Sequence, residues 1–283
     1  MKVADVIDAA LPAPHGNRQG LSYGQLTAIW LIYILTQYDH RMNPVESWVR
    51  ERQQTLQLAT AWHFSDKDFT DDRLADLLTR LGGESTMSPA TAHEAIEQAL
   101  GQHLVRAYEL PMAVGRMDTT SVSVYHGAND REGSPRTLLH FGHSKDAHPE
   151  RRQFIEALAT LDPVGVPLVT ATLPGQQADD PTYWPIWQRM VQTLGRADFL
   201  LVADCKLGRL SNRAQIHAHG GLYLCPLAMI GNRDDLLRAW VLEPPTEMQD
   251  LVFDGDQWGR GFEITLGPWS DEALPTREAK SRV

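Results

Sequence analysis

Cysteine is nearly missing from this sequence: Cys205 and Cys225 are the only two in 283 residues, and neither belongs to a CxxC pair. That argues against a disulfide framework or a zinc ribbon and for a reducing compartment, the cytoplasm. Long apolar runs are missing as well. The most apolar stretch, "AIWLIYIL" from Ala28 to Leu35, falls far short of the roughly 20 residues that a membrane span needs, and Gln25 and Gln37 bracket it. It reads as a core helix, and no membrane partner is expected. The opening "MKVADVIDAALPAPHG" lacks the cationic start, apolar core and small-residue cleavage site of a signal peptide. Positive charge is in deficit, with a formal net charge of −10. This counts against a protein whose whole surface grips nucleic acid, but a local groove of clustered Lys and Arg remains open. There are no repeats and no low-complexity tract.

What is present falls into three textures. Residues 1–110 carry helix start signals. Ser22 stands three residues before Gln25 as a capping box. Asn43 precedes Pro44 and Glu46 as an N-cap. Thr70 leads Asp71 and Asp72 into a first turn, where the helix dipole favours anions. Ser88 caps "SPATAHEAIEQAL", with Pro89 inside the helix. Trp30, Trp48, Trp62, Trp184 and Trp187 are spread along amphipathic helices and read as packing residues rather than base-stacking platforms.

Residues 111–231 turn to β structure. "AVGRMDTTSVSVYH" alternates with a period of two, and a Gly/Asn/Asp turn separates it from "TLLHFGHS" as the partner of an antiparallel hairpin. "PERRQFIEALATL" reads as a helix, "GVPLVTATLPG" as a strand and "TYWPIWQRMVQTLG" as a helix. "DFLLVADCKL" reads as a strand, "SNRAQIHAHG" as a helix capped by Ser211, and "LYLCPLAM" as a last strand. The pattern predicts a mixed sheet with helices on its faces. Residues 232–283 hold Pro244, Pro245 and the glycines of "DGDQWGRGFEITLG", then end in a polar tail.

Two carboxylates attract attention. Asp118 lies early on the first predicted strand, and Asp204 ends the apolar run "FLLVA". Adjacent strands of one sheet bring such residues together. Two facing aspartates repel at neutral pH unless a cation lies between them, and hard divalent ions take carboxylate oxygens. The bland alternative for each is a turn, cap or half-exposed strand acid. Lys206, Arg209 and Arg213 follow Asp204 as phosphate contacts or as an exposed basic loop, with the helix start at Ser211 able to add N–H donors. Lys145 lies either at the rim of the same site or in a solvated turn. His140, His143 and His148 in "HFGHSKDAH" lack the tight pairing of a zinc site, and strand alternation separates the first two. His217 and His219 fall at a helix end, against its last carbonyls.

The ordered set "MDTTSVSVY", "GHSKDAHPERRQF", "GVPLVTATLPGQQADD" and "FLLVADCKLGRLSNRAQI" resembles the DDE transposases of bacterial insertion sequences, in the fourth insertion-sequence superfamily. "LSYGQLTAIWLIYILTQYDHRMNPVESW" is similar to the helical N-terminal region of one branch of that group. The resemblance runs from about Leu21 to Gly267. It implies an α/β, ribonuclease-H-like mixed sheet with flanking helices, preceded by an all-helical domain over 1–110 and followed over 232–283 by the start of a β-rich insertion. It also implies that Asp118 and Asp204 are catalytic ligands of Mg²⁺, for which Mn²⁺ substitutes. Lys145, Lys206, Arg209 and Arg213 are the expected DNA contacts. The expected partners are element-end and target DNA and further copies of the chain. The family's third acid, a glutamate on a helix beyond the insertion, has no match here: Glu263 lies in a predicted strand and Glu278 in the tail. The sequence therefore reads as a transposase cut short before that acid. The alternatives are a non-catalytic DNA-binding or subunit-interaction remnant, or another metal-dependent nuclease of the same fold.

Overall fold

Helices fill the first part of the chain and a sheet dominates the rest of the computed structural model, which describes residues 3–14, 20–83, 91–125, 138–143, 145, 148–226, 233–244, 247–253, 256–261, 263–264 and 281–282. Two compact units result, Met1–Leu110 and Pro111–Val283.

The first unit contains α1 (Val3–Ala10), α2 (Tyr23–Gln37), α3 (Val45–Thr60), α4 (Asp71–Leu81) and α5 (Ala92–Ala107), with a 3₁₀ turn at Asp66–Phe69. The capping box at α2 forms: the Gln25 N–H donates to Ser22 Oγ at 3.2 Å, and the Ser22 N–H donates to Gln25 Oε1 at 3.1 Å. Two other starts, those of α3 and α5, differ from expectation. Helix α3 begins one residue later than predicted, with Pro44 rather than Asn43 at its cap. Thr70 caps α4 by position, but its side chain makes no cap hydrogen bond. Helix α5 is capped at Thr91, whose hydroxyl accepts the Glu94 N–H at 3.3 Å. A Thr–x–x–Glu box satisfies two end donors at once; Ser88 and Pro89 lie outside the described residues. Leu26, Ile29, Phe69, Leu74 and Leu77 form the sealed centre of this unit, each at most 1 % exposed.

The second unit is built on a five-stranded sheet in the order β3–β2–β1–β4–β5: β1 (Val114–Val124), β2 (Arg152–Leu161), β3 (Val166–Pro174), β4 (Leu200–Val202) and β5 (Leu222–Leu224). Strands β1 to β3 form an antiparallel meander, while β4 joins β1 and β5 joins β4 in parallel. Parallel neighbours need a crossover, supplied by α6 (Tyr183–Leu194) before β4 and α7 (Leu210–Ala218) before β5. This is the expected ribonuclease-H-like mixed sheet with flanking helices. Helix α8 (Arg233–Leu242), which the sequence pattern did not suggest, follows. Two short antiparallel ribbons come next, β6 (Gln249–Phe253) with β7 (Asp256–Gly261) and β8 (Glu263–Ile264) with β9 (Ser281–Arg282). Among the described residues no helix is long and apolar enough to cross a membrane.

Two readings of this unit are corrected. Residues 152–161, expected to be a helix, form β2. The hairpin partner of β1 is therefore β2, and the segment expected in that place contributes only a bridge from His140 to Gln153 among the described residues. Helix α7 starts at Leu210 with Arg209 at its cap, so Ser211 lies inside the helix.

The aromatic residues of α6 pack as core. Trp184 and Trp187 stack at 5.1 Å, and Trp187 lies 6.2 Å from Phe199. Trp30, Trp48 and Trp187 are buried, which fits packing rather than base stacking.

Candidate active site

Strand β1 alternates strictly. Gly115, Met117, Thr119 and Ser121 point inward, whereas Arg116, Asp118 and Thr120 point to the solvent side. The inward face meets α6 so closely that a Cβ on Gly115 would lie 2.5 Å from Met190 Cε. Packing on that face fixes the register and leaves Asp118 on the accessible one. β4 lies beside β1 with Val202 opposite Arg116, and Asp204 follows two residues beyond. Both carboxylates line one cavity of about 520 Å³, with Arg116, Leu158, Thr160 and Val202 among the other walls.

Each carboxylate is anchored at one oxygen. The Thr119 N–H donates to Asp118 Oδ1 at 2.8 Å. The Tyr183 hydroxyl donates to Asp204 Oδ1 at 2.5 Å, and the Lys206 N–H donates to the same oxygen at 3.0 Å. Among the described residues, Oδ2 of both aspartates takes no hydrogen bond. Burial raises the Tyr183 phenol far above the usual tyrosine range, and its bond to Asp204 together with the negative charges of Asp204, Asp179 and Asp118 pushes it further. It stays a neutral donor at any physiological pH.

The donor chemistry fits a hard divalent cation. Two carboxylates, each with an oxygen to spare and facing one cavity, are suited to Mg²⁺ or Mn²⁺ and not to a softer metal that prefers nitrogen and sulfur. Among the described residues no third His, Cys, Asp or Glu joins them in a metal-holding group. The histidine segment forms no such group either. His140 is bound into the bridge with Gln153, and His148 lies 3.1 Å from Glu150. His219 Nδ1 meets the Gln215 carbonyl at 2.8 Å, as its place at a helix end suggests.

The four basic residues separate by environment. Lys206 is exposed beside Asp204. Arg209 is exposed and pairs with Asp180 at 3.1 Å. Arg213 is only 8 % exposed, and its Nε donates to the Gly208 carbonyl at 2.8 Å, so it braces the turn rather than facing a ligand. The Lys145 ammonium is held by the Thr119 carbonyl and hydroxyl and lies 3.8 Å from Asp179.

Two residues of the site escaped sequence reasoning. Arg116 has a signal that was available: it stands two positions before Asp118 on an alternating strand and so shares its face. Its Nε is tied to Asp162 at 2.6 Å while the side chain remains 63 % exposed. Tyr183 has none, because "YWPIW" reads as a core aromatic run.

No protein-family model and no curated protein matches this chain. Solved structures offer distant likenesses. One is a Mos1 transposase paired-end complex with the left transposon end, at 9 % identity, covering 82 % of this chain and 74 % of that chain with a TM-score of 0.27. A piggyBac transposase synaptic complex with hairpin DNA is 10 % identical; the match covers 89 % of this chain but only 54 % of that one, with a TM-score of 0.39. A Mos1 mariner paired-end complex with Mn is 11 % identical over 82 % of this chain and 68 % of that chain, with a TM-score of 0.27. Likenesses this distant carry no argument about activity.

Proposed function

We propose that this chain is an insertion-sequence DNA transposase, whose ribonuclease-H-like core cuts and joins phosphodiesters with divalent ions held by Asp118 and Asp204. The observation that carries the reading is the convergence of these two aspartates, from strands far apart in sequence, on one cavity with an unbonded oxygen each. Mg²⁺ is the proposed ion, with Mn²⁺ able to replace it. Such ions activate an attacking oxygen and stabilise the leaving one in phosphodiester chemistry.

The chain's own residues would do the rest. Asp118 would present its oxygen ligand from β1, and Asp204 from the loop just past the neighbouring strand β4. Arg116, on the same face as Asp118, offers its terminal N–H groups to a phosphate while Asp162 holds its Nε. Lys206 and Arg209 follow Asp204 on the exposed loop and would steady the backbone on the other side; phosphate contacts of this kind set position and carry no sequence information. Arg213 is inward-facing and Lys145 already engaged, so neither is proposed as a primary contact. The helical unit over 1–110 is proposed to bind element ends, and further copies of the chain to pair two ends.

The test is nicking of supercoiled DNA by the full chain in Mg²⁺ or Mn²⁺. Cleavage that needs the metal and disappears in Asp118→Asn and in Asp204→Asn is the expected result. Cleavage that survives either substitution would remove the assignment.

One observation favours a second reading: among the described residues only two acids meet in the cavity. A DNA-binding or subunit-interaction remnant would bind element ends and leave them uncut in both metals.

A further inference from the structure

We infer that Tyr183 is the positioning residue of the metal site: its hydroxyl holds Asp204 by Oδ1 so that Oδ2 is presented to the cation. The inference rests on the metal-site reading above and goes beyond it by assigning a role to a residue that touches neither metal nor DNA.

Three observations converge on Tyr183. Its side chain is fully buried at the first residue of α6, so the ring has one position, set by packing. Its hydroxyl reaches out of that packing to an exposed carboxylate at 2.5 Å, a charge-assisted length. The second donor to Asp204, the Lys206 N–H at 3.0 Å, falls on the same oxygen. Asp204 itself stands two residues past the end of β4, where the ladder no longer constrains the chain. Without the tyrosine, the one remaining hydrogen bond to this carboxylate among the described residues would be a backbone N–H from its own loop. With it, the acid is tied to the helix that packs under β1. A buried donor that fixes an exposed acid at one oxygen is what an oriented ligand requires, and removing such a partner typically costs about 10- to 100-fold in metal affinity.

The experiment is direct Mn²⁺ binding to the full chain, followed by electron paramagnetic resonance, for the wild type, Tyr183→Phe, Asp204→Asn and the double variant. Tyr183→Phe keeps the ring and removes only the hydroxyl. We expect about 10-fold weaker Mn²⁺ binding by Tyr183→Phe. We expect no further loss when it is added to Asp204→Asn, because the tyrosine acts through that carboxylate. Equal affinity of wild type and Tyr183→Phe, or an additive loss in the double variant, overturns the role of Tyr183 while leaving the metal site intact. A wild type that binds no Mn²⁺ overturns the parent reading instead. Should Tyr183→Phe fail to fold, a crystal structure of the wild type with Mn²⁺ decides: the ion on Oδ2 with the tyrosine still on Oδ1 supports the inference, and an ion on Oδ1 with the tyrosine displaced ends it.

Discussion

Asp118 lies two residues beyond Arg116 on β1, and Asp204 lies two residues beyond Val202, the last residue of the neighbouring parallel strand β4. The ladder pairs Arg116 with Val202, an offset of 202 − 116 = 86, and 204 − 118 is the same. A register shift of one residue would carry Asp118 to the inner face, where Met117 and Thr119 are buried. The register thus keeps Asp118 on the accessible face, and the chain leaving β4 carries Asp204 to the same cavity.

Metal binding should appear as stability. Mn²⁺ at about a hundred times its dissociation constant is expected to add ~2.7 kcal/mol to the unfolding free energy of the wild type. Asp204→Asn should lose that gain, while its amide oxygen still accepts the Tyr183 and Lys206 bonds. Without metal its thermal midpoint should equal or exceed the wild type's, because one of two like charges is gone. Scanning calorimetry with and without Mn²⁺ measures both.

DNA affinity should depend on salt through a few named cations. Lys206→Ala and Arg209→Ala are each expected to reduce the slope of log K against log salt by about 0.9, one phosphate contact apiece. Arg213→Ala should leave the slope alone and lower the melting temperature, because its guanidinium serves the Gly208 carbonyl. Fluorescence titrations at several salt concentrations separate the two behaviours.

Gly24 is where α2 meets the backbone of α1. A Cβ there would lie 2.0 Å from the Ala4 carbonyl oxygen, a backbone atom that cannot step aside without moving α1. The Gly24 N–H also donates to Asp8 Oδ1 at 2.7 Å, and Ser22 Oγ donates to Asp8 Oδ2 at 2.6 Å. Gly24→Ala should cost about 1–3 kcal/mol, the usual range for overpacking, read from urea denaturation.

Acid should weaken the helical unit through Asp39. Hydrogen bonds from the Arg41 guanidinium and from its backbone N–H hold the Asp39 carboxyl well below the ordinary carboxylate range, and Tyr33 adds a bond at 2.9 Å. A depressed carboxyl contributes stability that is complete above its unfolded pKa, about 3.9, and is lost as the pH falls toward the folded value. Asp39→Asn should flatten the stability profile below about pH 4 and leave it unchanged in shape above. Tryptophan fluorescence is a suitable probe, since Trp48 lies 5.5 Å from the Tyr33 ring.

Cys225 should react slowly. Cys225 is half-buried, and this burial pushes its thiol above the ordinary range; Arg213 opposes the shift, while Asp204 and Cys205 add to it. Peptide mass spectrometry after brief alkylation at pH 8 should find Cys225 largely unmodified in the folded chain and modified after denaturation. Equal rates in the two states would contradict the burial.

The misread segment shows where pattern runs out. In β2 the inner face carries Gln153, Ile155, Ala157, Ala159 and Leu161, while the outer face carries Phe154 and Leu158. A glutamine inside and a phenylalanine outside break the alternation of two, and the remaining apolar residues fit a helical spacing equally well. Gln153 is tolerated at 1 % exposure because its side-chain amide donates to the carbonyls of Gly175 and His143. Those partners come from other segments, so no local reading could have supplied them. Helix α2 was legible for the opposite reason: its cap lies three residues from its partner, and both are written in one short stretch.

By itself the sequence determined the helical first part, the strict alternation of β1 and the apolar run that leads to Asp204. These depend on contacts a few residues long, which composition and spacing encode. Only the tertiary structure decided that β2 is a strand, that Arg213 turns inward, and that Tyr183 reaches Asp204 from a helix 21 residues earlier in the chain. Such facts depend on which surfaces find each other when the sheet closes, and packing energy between distant segments is not written at any one place along the chain.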